Sequence, residues 1–276
     1  MGQDSLSKQK GVKSKNTATR LLKAAVKSVL SGAGFVSNKS GRSWYQDNGW
    51  FISIIEFQAP RGWQGSFLNV AASFLWTPSL TGEVWCSFDY GGRIGHNKSN
   101  DGTTLEYTGN DEDFSRLCEA LARRALQESE KFEQLRDWAT AKQVLLPYKF
   151  TSDELWGNWH RAMLCFLTGD SRAAKYLEAF SSFDFDRWPN EEVRRFASEQ
   201  SAFFLPLVDD FPAAQERISE VIRTNRQALR NHGYPALDPD WSFKAPPRGS
   251  VPELPVGFEN SKRNWIQRLF DRKDKR

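Results

Sequence analysis

Residues 50–76 read WFISIIEFQAPRGWQGSFLNVAASFLW, and this stretch decides the fold class. Its first part, 50–57, is rich in Ile and Phe and predicts a largely buried strand. Pro60-Arg61-Gly62 ends that strand, and alternating apolar side chains over 66–76 predict a second one. The link between the two is short, whereas a parallel crossover needs a dozen or more residues. The two strands are therefore expected to pair antiparallel.

The strand pattern continues on both sides of this pair. Upstream, two short apolar runs flank a polar turn at 37–41 and predict a hairpin. Downstream, alternation over 83–90 predicts another strand, and the glycine-rich stretch 91–102 predicts a loop. A short strand is expected around 105–107. Because the links are short throughout, the pattern indicates an antiparallel meander.

Helical periodicity is found before and after the meander. Residues 17–30 place apolar side chains at three- and four-residue spacing, and Asn16 or Thr17 can cap this helix. From Gly109 to about residue 232 the pattern stays helical. A run of strands followed by a run of helices predicts an α+β fold. Its parts are an N-terminal helix, an antiparallel meander sheet and an all-α helical region.

The domain organisation follows from composition and pattern. We predict a disordered basic tail over 1–16, an α+β domain over 17–146 and a helical domain over 147–233. Half of the chain's 12 prolines lie in 234–259, which predicts an extended linker. Residues 260–276 form a basic amphipathic tail.

The net charge of +4 is unevenly distributed along the 276 residues. Residues 1–30 carry +6 and residues 260–276 carry +5, which leaves −7 for the remainder. A nucleic-acid-binding domain is expected to carry a basic patch on its folded body. The acidic body argues against that class. The basic tails could still make weak, salt-sensitive contacts with nucleic acid or an anionic surface.

The cysteines and the N-terminal residues indicate the cellular compartment of the protein. Cys86, Cys118 and Cys165 are odd in number and too far apart for a CxxC pair, which predicts buried, reduced thiols in a cytoplasm. The first twenty residues are polar and lack the apolar stretch of a signal peptide. The sequence contains no run of about 18 apolar residues, so it predicts no transmembrane segment. We therefore expect a cytoplasmic protein.

The sequence contains no motif typical of a metal site or of a phosphate-binding loop. None of the three histidines (His96, His160 and His232) lies four residues from another, so no metal site and no cofactor are expected. His160 is expected at the surface or its boundary. The stretch 91–96 lacks the Lys-Ser/Thr of a phosphate-binding loop, although Arg93 could meet an anion there.

The sharpest enzymatic hypothesis is a divergent metal-dependent nuclease. Such sites use an acid on one strand and Glu-x-Lys or Glu-x-Gln on the next, and Asp47 with Glu56-x-Gln58 fits that outline. Residues two apart on a strand share a face. The two acids would hold Mg²⁺, and Gln58 would position water. Alternatively, Glu56 and Gln58 only end a strand at its solvent-facing end, because no catalytic Lys follows.

A binding role is the broader alternative. The chain has 11 Trp and 20 Phe, most of which should be core, since aromatic rings bury large areas. Trp63 lies beside Arg61 in a turn, a pairing typical of protein-interface anchors, although Trp63 could instead fold back as a plug. Arg42 precedes Trp44-Tyr45 and is expected either as a buried or cleft cation or as a strand-end residue in water.

The basic amphipathic tail is a further binding candidate. Trp265, Ile266, Leu269 and Phe270 follow i, i+1, i+4, i+5 spacing, which puts them on one face of a helix among basic residues. Such a helix can dock in a partner's groove, lie on an anionic membrane or pack on its own protein.

Four short motifs carry a resemblance. They are Leu30-x-x-x-Gly34-Phe35, Gly41-Arg42-x-Trp44-Tyr45, Ile52-x-Ile54-Ile55-x-Phe57-Gln58 and Phe67-x-Asn69-Val70. Over about residues 20–76 the chain resembles an uncharacterised bacterial family of α+β domains of unknown function. The resemblance implies an α+β fold and brings no activity with it.

Taken together, these patterns predict a macromolecule-binding module that acts through protein–protein contacts. A setting in bacterial defence or toxin immunity is predicted from an acidic, aromatic-rich body without recognised catalytic motifs. The candidate binding residues are Arg42, Arg61, Trp63, Arg93, Trp265 and Phe270. The alternative is the metal-dependent nuclease with Asp47, Glu56 and Gln58 as its site.

Overall fold

The computed structural model describes residues 3–38, 40–77, 87–95, 104–187 and 190–244, with side chains from residue 17 onward. The chain divides into two compact units. Unit 1 consists of Met1–Leu75, Val84–Glu133 and Arg226–Pro239, and unit 2 of Trp76–Glu83, Gln134–Asn225 and Asp240–Arg276. The chain leaves unit 1 after residue 133 and returns to it at residue 226, which differs from the predicted division at 146.

Unit 1 contains the predicted antiparallel sheet. Its strands are β1 Val36–Ser37, β2 Ser43–Asp47, β3 Phe51–Gln58, β4 Gly65–Phe74, β5 Tyr90–Arg93 and β6 Thr104–Glu106. Strands β1 to β5 are neighbours in chain order, and β6 pairs with the N-terminal end of β4. This meander, preceded by a helix and followed by helices, confirms the α+β fold class.

Two helices, α1 Gln3–Leu30 and α2 Asp111–Ser129, pack against each other in unit 1. Arg42 lies opposite Phe57 in the sheet and donates a hydrogen bond to Thr19 of α1, which places α1 on the Phe57 face. Side chains alternate along a strand. Glu56 and Gln58 therefore point to the opposite face.

Helix α1 is longer than predicted. It begins at Gln3, so it includes most of the stretch 1–16 for which the sequence predicts a disordered tail. No proline lies between residues 3 and 30, and the stretch contains six Lys and two Gln. These straight-chain residues lose little rotamer freedom in a helix, so the backbone can remain helical without an apolar face.

Strand β5 occupies residues that the sequence predicts as a loop. The prediction ended a strand at residue 90, whereas the structure has a strand over Tyr90–Arg93. A Cβ atom at Gly91 would lie 2.5 Å from the carbonyl oxygen of Val70 and 3.1 Å from Cα of Ala71. Glycine is needed because β5 approaches β4 so closely. The residues that suggested a turn are the ones that permit strand pairing.

Unit 2 is built from helices. They are α3 Trp138–Leu145, α4 Asn158–Thr168, α5 Ala173–Ser181, α6 Glu191–Phe204 and α7 Phe211–Asn231, whose last residues belong to unit 1. Every residue of α4 from Trp159 to Leu167 is buried. Phe180, Phe196 and Phe204 surround the Trp159 ring with centroids 5.2–5.9 Å away. Within the described residues, no helix combines the length and apolarity needed to cross a membrane.

The surroundings of α4 correct the prediction for His160. His160 is buried, not at the surface, and its Nδ1 accepts a hydrogen bond of 3.0 Å from Nε1 of Trp76. Periodicity does not reveal this, because α4 is buried on all sides. Ser152 has a left-handed φ of 53°, and its side chain makes no capping hydrogen bond; a π-helical turn at Asp153–Gly157 precedes α4.

Candidate functional site

The face of the sheet opposite α1 carries a group of polar and aromatic side chains at the ends of β3, β4 and β5. Glu56 lies opposite Asn69, Gln58 opposite Phe67, and Asn69 also opposite Arg93. We call these five residues the strand cluster. Gln58 and Arg93 are exposed, Glu56 and Phe67 are half-buried, and Asn69 is buried. The strand cluster therefore extends from the buried interior of the sheet to its solvent-exposed end.

Asn69 holds the strand cluster together. Its Nδ2 donates hydrogen bonds to Oε2 of Glu56 at 2.7 Å and to Oε1 of Gln58 at 3.3 Å. Its Oδ1 accepts a hydrogen bond of 3.4 Å from Nε of Arg93. Nη2 of Arg93 also donates to Oε1 of Gln58. A buried amide thus fixes a carboxylate, a second amide and a guanidinium on three adjacent strands.

Arg93 lies over an aromatic ring. Its Cζ is 4.4 Å from the centroid of the Phe67 ring, a cation–π arrangement. The Phe67 ring meets the Trp63 ring edge to face, with centroids 5.4 Å apart and planes at 86°. Trp63, in the loop between β3 and β4, is half-buried, and Arg61 in the same loop is exposed. Trp63 thus extends the strand cluster, and Trp63, Phe67 and Arg93 form a continuous row.

Arg42 lies on the other face of the sheet. Its Nη1 donates to the carbonyl oxygens of Phe57 at 3.0 Å and Gly65 at 3.4 Å, and its Nη2 to Oγ1 of Thr19 at 3.2 Å. Burial lowers the pKa of this guanidinium below its ordinary value. Arg42 is therefore a half-buried cation held by hydrogen bonds and not a strand-end residue in open water. Arg42 joins α1 to the ends of β3 and β4.

Asp47 belongs to a buried ion pair. Arg226 donates through Nη1 to Oδ1 of Asp47 at 2.9 Å and through Nη2 to Oδ2 at 2.5 Å. Arg226 is 0% exposed and also donates to the carbonyl oxygens of Gly49 and Asp238. Burial opposes the charge on Asp47, but the bonds from Arg226 and from two backbone N–H groups outweigh it and lower the pKa of this carboxyl.

The three residues of the nuclease hypothesis are only partly brought together. Glu56 and Gln58 share the strand cluster, but Asp47 lies opposite Ile52, four positions along β3 from Glu56. At about 3.3 Å per residue the two carboxylates are separated by roughly 13 Å along the sheet. Over the described parts of the chain, no group of three or more His, Cys, Asp or Glu side chains could hold a metal ion. The nuclease stays a prediction.

The Asp47–Arg226 pair leads to a stability prediction. Asp47→Asn should lower the free energy of unfolding by about 2 kcal/mol, because it leaves the buried Arg226 charge without its carboxylate; the partial exposure of Asp47 keeps the loss below that of a fully buried pair. Glu119→Gln, at an exposed carboxylate of α2, is the matched control and should change the free energy of unfolding by less than about 0.5 kcal/mol. Urea unfolding at pH 7 measures both, and equal losses would contradict the pairing.

The remaining predicted residues divide into buried and undescribed ones. Cys118 and Cys165 are buried, as predicted, and burial raises the pKa of Cys118 to about 12, so this thiol stays protonated. Cys86, Trp265 and Phe270 lie outside the described residues. The roles predicted for the tail residues remain predictions.

Two members of the strand cluster were not predicted as site residues. Phe67 and Asn69 stand two apart, and the same spacing separates Glu56 and Gln58. Such spacing indicates a shared face for each pair. It does not show that the two pairs face each other, because that depends on the register across the β3–β4 loop. Arg93 was predicted as a possible anion contact in a loop, and it instead lies on β5.

Comparison with known proteins adds no homologue to this picture. No family model, curated protein or solved structure matches the chain. The resemblance to an uncharacterised bacterial family therefore stays a prediction.

Proposed function

We propose that this protein is a protein-binding module and that the row of Trp63, Phe67 and Arg93 is the centre of its binding surface. The observation that supports this most is the guanidinium of Arg93, which lies on the Phe67 ring and is held by Asn69 and Gln58. Tryptophan and arginine dominate the binding energy of protein interfaces. Its setting in bacterial defence or toxin immunity stays a prediction.

Pre-organisation is the physical advantage of this arrangement. A long side chain that becomes fixed on binding costs about 0.5–1.5 kcal/mol in lost rotamer freedom. Arg93 is already restrained by two amide oxygens and an aromatic ring, and it stands on a strand paired along β4. Most of the rotamer freedom of Arg93 is therefore lost during folding. A partner that binds this row does not incur that entropic cost again.

The chemistry of the row indicates the kind of partner. Arg93 and the exposed Arg61 are cationic, and the half-buried Trp63 and Phe67 offer ring surface between them. The planar fork of arginine matches a carboxylate. We therefore propose a partner protein that presents an Asp or Glu side chain to an arginine and an apolar side chain to the rings.

The proposal predicts selective loss of a partner. The full chain is immobilised and incubated with native lysate of its source cells at high salt, which suppresses contacts of the basic tails with nucleic acid. A stoichiometric protein should be captured, and Arg93→Glu or Trp63→Ala should each weaken its affinity about 30-fold, the loss of a 2 kcal/mol anchor. Arg116→Glu, at an exposed arginine of α2, is the matched control and should retain the partner.

Two outcomes would overturn this proposal. One is loss of the captured protein in Arg116→Glu to the same degree as in Arg93→Glu, which would show a general charge effect. The other is Mg²⁺-dependent cleavage of nucleic acid that Glu56→Gln abolishes, which would favour the nuclease. Glu56→Gln suits that assay because a glutamine oxygen can still accept the hydrogen bond from Asn69.

A further inference from the structure

A second surface, in unit 2, exposes apolar side chains between α6 and α7. Residues 203–210 read FFLPLVDD, and we call this segment the knuckle. Phe203 is 43% exposed and Leu205 38% exposed, while Leu207 and Val208 are half-buried. The knuckle lies away from the strand cluster in the chain and belongs to the other unit.

The knuckle is an ordered surface. A 3-10 turn at Leu205–Leu207 carries Pro206, and N of Asp210 donates to the carbonyl oxygen of Leu207 at 3.0 Å. The Phe203 ring contacts the Phe204 ring, with centroids 5.4 Å apart. The Cζ of Arg217 lies 4.6 Å from the Phe203 centroid. Because these contacts restrain the Phe203 ring and the backbone of the turn, an apolar partner can bind there at a reduced entropic cost.

Carboxylates border the apolar part of the knuckle. Asp209 and Asp210 are both exposed and follow directly after Val208. Oδ1 of Asp210 accepts a hydrogen bond of 3.1 Å from N of Ala213 at the start of α7. The knuckle thus presents an apolar surface next to two negative charges, and the guanidinium that contacts it, that of Arg217, is paired with Glu220 at 3.0 Å. Its complement is a segment that combines apolar side chains with positive charge.

The chain itself contains such a segment. Residues 261–276 carry seven Lys and Arg against two Asp, and the apolar residues among them follow the spacing of one helical face. They are Trp265, Ile266, Leu269 and Phe270. The basic amphipathic tail therefore matches the knuckle in both respects, apolar surface and charge.

The length of the chain permits this contact within one molecule. Lys244 is the last described residue, and the 16 residues from 245 to 260 reach up to about 50 Å when extended. A unit of roughly 140 residues, the size of unit 2, has a radius of gyration of only about 14 Å. A tether of this kind gives an effective concentration in the millimolar range, so even a weak contact is occupied.

We propose that the basic amphipathic tail docks on the knuckle of the same chain. Trp265 and Phe270 supply the apolar contacts with Phe203 and Leu205, and the basic residues around them face Asp209 and Asp210. The proposal is independent of the binding surface at the strand cluster.

Photo-cross-linking of the full chain tests the proposal. Phe270 is replaced by p-benzoylphenylalanine, which keeps an aromatic, apolar side chain, and the product is digested and its cross-linked peptides are identified by mass spectrometry. The expected product is an intramolecular link to residues 203–212 in the monomer. Leu205→Asp should lower its yield at least fivefold. Leu117→Asp, at a leucine of α2 with 42% exposure, is the matched control and should leave the yield unchanged.

Each other outcome would overturn the proposal. Cross-links found only in a covalent dimer would show docking on a second copy. Links to other parts of the chain, or none at all, would show that the tail does not occupy the knuckle. Equal loss of the link in Leu117→Asp and Leu205→Asp would show that the contact is not specific. Circular dichroism of both variants verifies that neither is unfolded.

Discussion

Asp170→Asn is expected to lower the free energy of unfolding by about 3–5 kcal/mol, the usual cost of breaking a buried ion pair by removing one partner. Lys142 and Asp170 are 1% and 2% exposed, and Nζ of Lys142 lies 2.6 Å from Oδ2 of Asp170. Without the carboxylate, the ammonium group of Lys142 stays buried with its main counter-charge gone. Urea unfolding at pH 7, followed by circular dichroism, measures the loss.

The matched variant is Lys142→Met, which should cost less than half as much. Asp170 remains paired in that variant, because Arg172 donates through Nε at 3.0 Å and through Nη2 at 2.7 Å. Methionine also fills most of the space of the lysine stem without a charge. Equal losses in the two variants, or a loss below about 1 kcal/mol in Asp170→Asn, would contradict the role assigned to the pair.

The same pair sets a pH dependence. Burial opposes ionisation of Asp170, but hydrogen bonds from Arg172 and Lys142 outweigh it and hold the pKa of this carboxyl well below its usual range. A carboxyl with a depressed pKa in the folded state stabilises fully above its unfolded pKa of about 4 and loses that contribution as the pH falls further. The difference between wild type and Asp170→Asn should be constant above pH 5 and shrink below pH 4.

Gly65→Ala should lower the free energy of unfolding by about 3 kcal/mol or more, at the upper end for overpacking. A Cβ atom there would lie 1.8 Å from the carbonyl oxygen of Leu105 and 2.3 Å from a ring carbon of Trp63. The first of these is backbone and cannot rotate away, so the pairing of β4 with β6 must open. Trp63 must also move, which would disturb the row on which the proposed binding surface depends.

Gly32→Ala is the matched control for Gly65→Ala. No atom lies within 4 Å of a Cβ built at Gly32, and its backbone does not have a positive φ. We expect a change within about 0.5 kcal/mol there. Thermal unfolding of both variants, together with the partner-binding assay, separates loss of the fold from loss of the surface. A Gly65→Ala protein as stable as wild type would show that β6 does not hold this edge of β4.

The α+β fold follows from signals that are local in sequence. Alternating side chains over 66–76 and the short link after Gln58 predict an antiparallel pair without knowledge of the rest of the chain. Helical spacing after Gly109 is equally local. The strand over Tyr90–Arg93 was missed for a tertiary reason. A glycine permits either a turn or a close approach between strands, and only the position of β4 decides between them.

The candidate site, like the fold, was determined partly by local sequence and partly by tertiary structure. Spacing along one strand puts Glu56 and Gln58 on a shared face, so this part was determined by the sequence alone. The register across the β3–β4 loop brings Asn69 between them, and β5 brings Arg93 onto Phe67. Hydrogen bonds among these side chains then decide which of them are held in place. No local pattern contains that information.

The pairing of Asp47 with Arg226 shows most clearly what local sequence patterns do not predict. The two residues are 179 positions apart, and neither stands in a pattern that indicates an ion pair. The sequence determined the order of strands and helices, because apolar periodicity and loop length act over neighbouring residues. Tertiary structure decided which charges are buried together, because the cost of burying a charge is met only by the partner that the folded chain brings beside it.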